Sequence, residues 1–220
     1  MQPTARLAPG PGIDGRAFVW PHAIDQLPDA VKAPLIDALA ADPSPAVAAR
    51  AGLEAPAVPR GALVTSSALL DLVSAEWLEA LAARCAAAAA PVLFALNYDG
   101  RTTCAPAEPE DAEVLELFNR HQRTDKSFGP ALGPTAAASA ESAFARHGYR
   151  VTARASDWRI PASAAAMQRA LVDGWLGAAL ELAPARRAAL TDWHRRRRAH
   201  IDAGRSSIVV GHADLLGVPS

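Results

Sequence analysis

The stretch Phe118-Asn-Arg-His-Gln-Arg-Thr-Asp-Lys-Ser-Phe-Gly-Pro130 concentrates the chemistry-bearing residues of this chain. Asn119 and Gln122 carry amides that can read a hydrogen-bonding ligand. His121 titrates near neutral pH and suits a general base. Asp125 and Lys126 supply one charge of each sign, and Phe128 with the Gly129-Pro130 turn sets a ring and an open backbone beside them. Binding groups of this kind gather on loops carried by a rigid scaffold. The bland alternative is a polar helix end followed by a Gly-Pro turn, and residue types alone leave both open.

Other constellations weigh less. Gly10-Pro-Gly-Ile-Asp-Gly15 spells GxGxxG, a pattern that holds phosphate only between a strand and a helix. Pro3 and Pro9 spoil a preceding strand, and Phe18-Val-Trp-Pro21 is no helix start, so a Pro/Gly leader is the better reading. Residues 183–205 hold seven arginines, four of them in the run Arg195–Arg198, against Asp192 and Asp202. Four consecutive arginines spread around a helix and cannot all face one groove, which favours a solvated, salt-bridged helix over a nucleic-acid surface. His194 and His200 are out of phase for one helical face, and no group of residues has metal-ligand spacing. GxSxG and an evident Ser/His/Asp arrangement are both absent. Cys85 and Cys104 read as reduced bystanders.

The elements that must carry these residues divide the chain near position 60. Ten prolines punctuate residues 1–60, so long helices and central strands are not expected there. Arg16–Trp20 could form a short strand and Leu35–Leu39 part of a helix. Residues 1–60 are therefore read as a divergent or partly disordered segment, and 61–220 as the folded domain. There, Ala62–Ser66 reads as a buried strand. Residues 75–90 follow as an amphipathic helix with Ser74 as its cap and Pro91 as its stop. Pro91–Leu96 is a second strand, closed by the turn cluster Asn97-Tyr-Asp-Gly100. Residues 101–135 form a polar insertion with a helix over 110–122. A helix over 135–147 ends at Gly148, and Tyr149–Ala153 is a third strand. Pro161 and Pro184 each open a helix, to about Leu182 and Ala203, and Ser206–His212 is a fourth strand. This alternation predicts an α/β sheet with helices on its faces.

At this point several segments take on a known order. Leu63-Val-Thr-Ser-Ser-Ala-Leu-Leu-Asp-Leu-Val-Ser74, followed by Ala-Glu-Trp-Leu78, resembles the fourth strand and following loop of class I S-adenosylmethionine-dependent methyltransferases. Val92-Leu-Phe-Ala-Leu-Asn-Tyr-Asp-Gly-Arg101 resembles their fifth strand, and Asn119–Pro134 is similar to a stretch in a bacterial subgroup. The resemblance covers about residues 61–216. It implies a Rossmann-like methyltransferase sheet, incomplete or divergent in its N-terminal half, with helices on both faces. Tyr149–Trp158 and Ser206–His212 would be the antiparallel pair that ends it. It implies S-adenosylmethionine as cofactor, held near Thr65, Ser66, Ser67 and Leu69. Asn97, Tyr98, Asp99, Asn119, Gln122, Lys126, Phe128 and Gly129 would line the pocket for a small-molecule methyl acceptor. His121 would be the base, with Asp125 in reserve. Residues 1–60 hold no counterpart of the family's glycine-rich first loop or ribose-binding carboxylate, and Ala62 stands where an acidic residue is expected. Two other classes stay open: a non-catalytic methyltransferase-like remnant that binds a partner chain, and a nucleic-acid module using the arginine-rich helix.

Composition bounds all of this. The chain has 220 residues, half of them hydrophobic and 20% charged, with a formal net charge of −1. That excludes a disordered chain, and 2 cysteines exclude a disulfide scaffold. No apolar run reaches the roughly 18 residues of a membrane span, and the start is no secretory signal, so a cytoplasmic protein is expected. The near-zero charge also weighs against nucleic acid, while self-association is compatible with everything above. Abundant Ala, Pro and Arg, with lysine only at 32 and 126, point to a GC-rich bacterial genome.

Overall fold

The computed structural model describes residues 58, 60–126 and 129–220. The Gly10–Gly15 motif, the strand expected at 16–20, the helix expected at 35–39 and Phe128 lie outside the described residues. The elements are β1 (Val64–Ser67), α1 (Ala75–Ala87), β2 (Val92–Ala105), α2 (Asp111–His121), α3 (Ala136–Arg146), β3 (Tyr149–Ala155), β4 (Trp158–Ile160), α4 (Ala165–Leu182), α5 (Arg187–Asp202) and β5 (Ser207–Pro219). They build an α/β architecture around a mixed, open sheet of order β1-β2-β5-β3, with β4 also on β5. β1 runs parallel to β2, while β5 is antiparallel to β2, β3 and β4.

Local sequence explains most boundaries. Ser74 caps α1, its hydroxyl accepting from the Trp77 N–H at 3.2 Å. Gly148, at φ 80°, lets the chain leave α3 in the left-handed region. Pro161 and Pro184 do not open α-helices directly. Pro161 caps a short 3₁₀ turn at Ala162–Ala164 and Pro184 begins one at Pro184–Arg186, and the α-helices start at Ala165 and Arg187.

Two expected strands are longer than their apolar runs. Asn97-Tyr-Asp-Gly100 is not a turn. It continues β2 through two irregularities, between Phe94 and Asn97 and between Tyr98 and Thr102, so residues 101–105 belong to the sheet and not to an insertion. The turn-forming residue types serve a bulge instead. Leu96 sits at φ 55°, and its N–H donates to Asp214 Oδ1 at 2.8 Å. The Asn97 amide donates to Ala213 O at 2.9 Å. Side chains thus replace the ladder bonds the bulge removes. Likewise β5 runs on to Pro219, and β3 pairs with Ala213–Pro219, beyond the 206–212 segment expected to be its partner.

Side chains alternate along β5, so its residues face two different cores. Leu215 joins Leu78, Phe94, Phe144 and Tyr149 under α1 and α3. Ile208 and Val210 join Val114, Leu117, Trp175, Leu190 and Trp193 under α2, α4 and α5. Helices therefore cover both faces of the sheet. No helix among the described residues is long and apolar enough to cross a membrane.

The arginine run is tied down. Arg197 is only 1% exposed. Its Nε donates to Asp111 Oδ1 at 2.9 Å and its Nη1 to Pro106 O at 2.6 Å, while Nη2 pairs with Asp111 Oδ2. Arg195 pairs with Asp192, Arg196 with Glu108, Glu110 and Asp192, and Arg198 with Asp173. The salt-bridged reading holds, with one correction: Arg197 is a buried pin between α5 and the start of α2, not a solvated charge.

Candidate functional site

Ligands of open α/β sheets bind outside the carboxyl ends of the parallel strands. Here that edge lies at the end of β1 and at the bulge of β2. β1 stops at Ser67, and Ala68, at φ 51°, still donates its N–H to Ala95 O at 3.0 Å before the chain turns into the 68–74 loop. The candidate loop lies against it. Leu132 N–H donates to Val73 O at 2.8 Å and Gly133 N–H to Asp71 O at 2.9 Å. Gly129, at φ 82°, lies close enough to Ser74 that an added Cβ would stand 3.6 Å from its Cβ. The segment expected to bind ligand is thus laced to the segment expected to bind cofactor.

Within this edge, Thr65 and Ser67 are exposed, Ser66 and Leu69 half-buried. The Ser66 hydroxyl is buried without a hydrogen-bond partner among the described residues. Tyr98 is buried, and its hydroxyl donates to Asn119 Oδ1 at 2.8 Å. Burial pushes the phenol up to about 12, so it stays a donor at every physiological pH. The Asn119 amide in turn donates to Gly100 O at 3.0 Å, which fixes its orientation. Gln122 caps the end of α2, its N–H donating to Phe118 O.

Other expected members stand apart. Asn97 is fully buried and its amide donors are used on Phe94 O and Ala213 O, within the bulge. Asp99, next to Tyr98 on an extended strand, accepts from Arg101 Nε at 2.8 Å, and Arg101 also reaches Asp157 at 2.7 Å. His121 lies two positions after Asn119 on α2, and residues two apart do not share a helix face. Its Nε2 is 2.9 Å from Glu181 Oε2, at the last turn of α4. Asp125 is exposed, pairs with Pro130 in an isolated bridge and accepts from the Gly129 N–H at 3.2 Å. Lys126 is half-buried. The structure thus brings Tyr98 and Asn119 together and gives His121 and Asp99 partners of their own.

One residue at this edge escaped the sequence reading. Asp71 lies in the loop after β1, and its Oδ1 is buried without a partner among the described residues. Burial pushes it up to about 6, against a partial offset from a backbone hydrogen bond. Its charge is felt at Tyr98. The signal was an isolated acid inside the apolar run Leu69-Leu-Asp-Leu-Val73, where a carboxylate is costly unless something uses it. Such a group can accept from an ammonium or a hydroxyl and change charge near neutral pH.

Among the described residues no group of His, Cys, Asp and Glu could hold a metal ion. A scan against protein-family models finds no match to this chain, and neither does a search of curated proteins.

Proposed function

We propose that the chain is a methyltransferase-like α/β protein that transfers a methyl group from S-adenosylmethionine to a small-molecule acceptor. The sheet carries this reading. A methyltransferase sheet of the kind the sequence resembles ends in an antiparallel pair, and here β5 lies antiparallel between β2 and β3 beside the parallel pair β1 and β2. The order α/β-sheet, polar edge and laced loop is what that resemblance leads one to expect of the C-terminal half.

The residues at the edge fit the amino-acid end of the cofactor. Ser66 Oγ and Asp71 Oδ1 are buried without partners, and an ammonium group would satisfy such acceptors. Ser66, Ser67, Leu69 and Asp71 would hold that end. The cofactor supplies an electrophilic methyl on a sulfonium, and displacement there is governed by positioning. Tyr98 and Asn119 would orient the acceptor, their hydroxyl and amide fixed in a chain of hydrogen bonds. His121, the base expected from the sequence, faces away from Asn119 and pairs with Glu181, so an acceptor proton would pass to Asp125 instead.

Calorimetric titration of the purified chain with S-adenosylmethionine tests this directly. Saturable heat and a raised melting temperature are expected, and Asp71→Asn should weaken both. Asp125→Ala should lower turnover more than cofactor affinity. Absence of heat and of any thermal shift at millimolar ligand would overturn the enzyme reading.

One observation favours a second reading, a non-catalytic protein that binds another chain. Leu93 and Leu216 are 40% and 46% exposed and lie directly opposite each other across β2 and β5. Paired exposed leucines on a sheet face are the kind of patch that associates. Light scattering across a range of concentrations, with and without Leu93→Lys, would detect self-association through this face.

A further inference from the structure

On the α2 side of the sheet the fold forms a half-open pocket of about 310 Å³ that the methyl-transfer reading does not use. Its walls include Cys104 from β2, Val114, Leu115 and Phe118 from α2, Trp175 from α4 and Trp193 from α5. Ligand pockets run from about 300 to 1,000 Å³, and about 150 Å³ already accepts benzene. A space of this size takes one or two rings.

The wall chemistry narrows the occupant. The one charged wall residue is Asp111, and its carboxylate is already engaged: both oxygens by Arg197, and Oδ1 also by the Trp193 indole N–H at 2.8 Å. A charged ligand would enter without a counter-charge and lose its hydration. The rest of the lining is aromatic and aliphatic, with Thr102 and Thr103 the remaining polar side chains. Phe118 meets Trp175 edge-on, with ring centres 6.3 Å apart. Aromatic ligands favour such edges and faces. Phe118 also meets Tyr98 edge-on at 5.7 Å, so the cavity ends one ring away from the Tyr98–Asn119 pair.

We propose that this cavity is a binding site for a neutral, flat, apolar small molecule of one or two rings. Binding stands independently of methyl transfer.

The probe is 1-naphthol, with 1-naphthalenesulfonate as its charged counterpart. Equilibrium dialysis of the full chain should show one saturable 1-naphthol site and weaker binding of the sulfonate. Mass spectrometry after partial alkylation should show 1-naphthol slowing modification of Cys104 and leaving Cys85 unchanged. Ala112, exposed on α2 at the cavity wall, provides the blocking variant. Ala112→Phe should weaken 1-naphthol binding about tenfold with the unfolding midpoint kept. No saturable binding, equal binding of the sulfonate, or no protection of Cys104 would each overturn the proposal. Those three results need only the wild-type chain, so they decide even if the variant misfolds. A chain that binds 1-naphthol but not S-adenosylmethionine would retain this site and lose the methyl-transfer reading.

Discussion

Ionised groups fare differently on the two sides of the sheet. Where α5 meets α2, each charge has its counter-charge. Asp111 takes two bonds from Arg197 and one from Trp193, Glu108 takes Arg196 and His200, and Glu113 takes Arg186. At the carboxyl edge of β1, the half-buried Ser66 and Asp71 each hold a buried oxygen that nothing in the described residues satisfies. A paired buried charge marks structure, whereas an unpaired buried carboxylate marks a place prepared for something else; uncharged orphans such as Thr102, Gln168 and Ser206 occur on the α4 side too. Conspicuous chemistry in the sequence, the arginine run, belongs to the first kind. A single aspartate in an apolar run belongs to the second.

The sharpest break of this contrast is Arg197→Met. It strands the Asp111 carboxylate in a half-buried site and frees the Pro106 carbonyl. Removing one partner of a buried ion pair costs about 3–5 kcal/mol, which is a large share of a domain's stability. Urea unfolding should show a loss in that range. Arg197→Met with Asp111→Leu should recover only part of it: neither charge is then left alone, but the Trp193 indole and the Glu108 N–H lose their acceptor. A loss below about 1 kcal/mol would mean that α5 is not pinned as described.

Asp71→Asn should move stability the other way. The folded carboxyl titrates at about 6, against a reference near 3.8. The folded state therefore binds the proton more tightly than the unfolded state. The resulting penalty is absent below about pH 4, grows as pH rises between about 4 and 6, and is complete above. From the two values it is roughly 3 kcal/mol at pH 7. Asp71→Asn should recover part of this at pH 7 and flatten the dependence between about pH 4 and 6. Wild type and variant showing parallel stability curves across that window would mean that Asp71 is solvated or paired. If the variant is more stable yet binds S-adenosylmethionine less well, stability has been given up for a site.

Much of the fold was legible, because apolar runs and helix caps are local signals. Ser74 and Gly148 mark helix ends as their chemistry requires, and alternation of strands with amphipathic helices does imply an α/β sheet. The bulge was not legible. Asn97-Tyr-Asp-Gly100 has turn composition, and only Asp214, more than a hundred residues away, reveals that Leu96 is held inside a strand. The candidate site was half legible for the same reason. Asn119 could be named from its type, but its partner is Tyr98, fixed by the packing of α2 on β2. His121 and Asn119 are near neighbours in sequence and face apart on the helix. Asp71 was overlooked because a lone acid in a hydrophobic stretch reads as loop until burial is known.

Tyr98→Phe tests the middle ground, a polar group that is paired yet stands at the candidate edge. It removes the donor to Asn119 and leaves the Asn119–Gly100 bond intact. The expected loss of stability is about 1 kcal/mol, read by urea unfolding. If Tyr98 orients a ligand, turnover should fall by more than that loss of stability explains, with cofactor affinity unchanged. Equal binding and turnover in both forms would return Tyr98 to structure.

The smallest effect belongs to Arg195→Ala. Arg195 is exposed and pairs within its own helix with Asp192, a carboxylate that Arg196 also approaches. Exposed pairs gain little Coulomb energy in water and give up side-chain freedom to form. The unfolding midpoint should therefore stay where it is at both low and moderate salt. Set beside Arg197→Met, two positions along the same run, this separates charge from burial as the origin of the stabilisation. A clear salt-dependent loss on Arg195→Ala would show instead that the arginine run acts as one electrostatic network, and the contrast between the two sides of the sheet would then rest on charge density and not on burial.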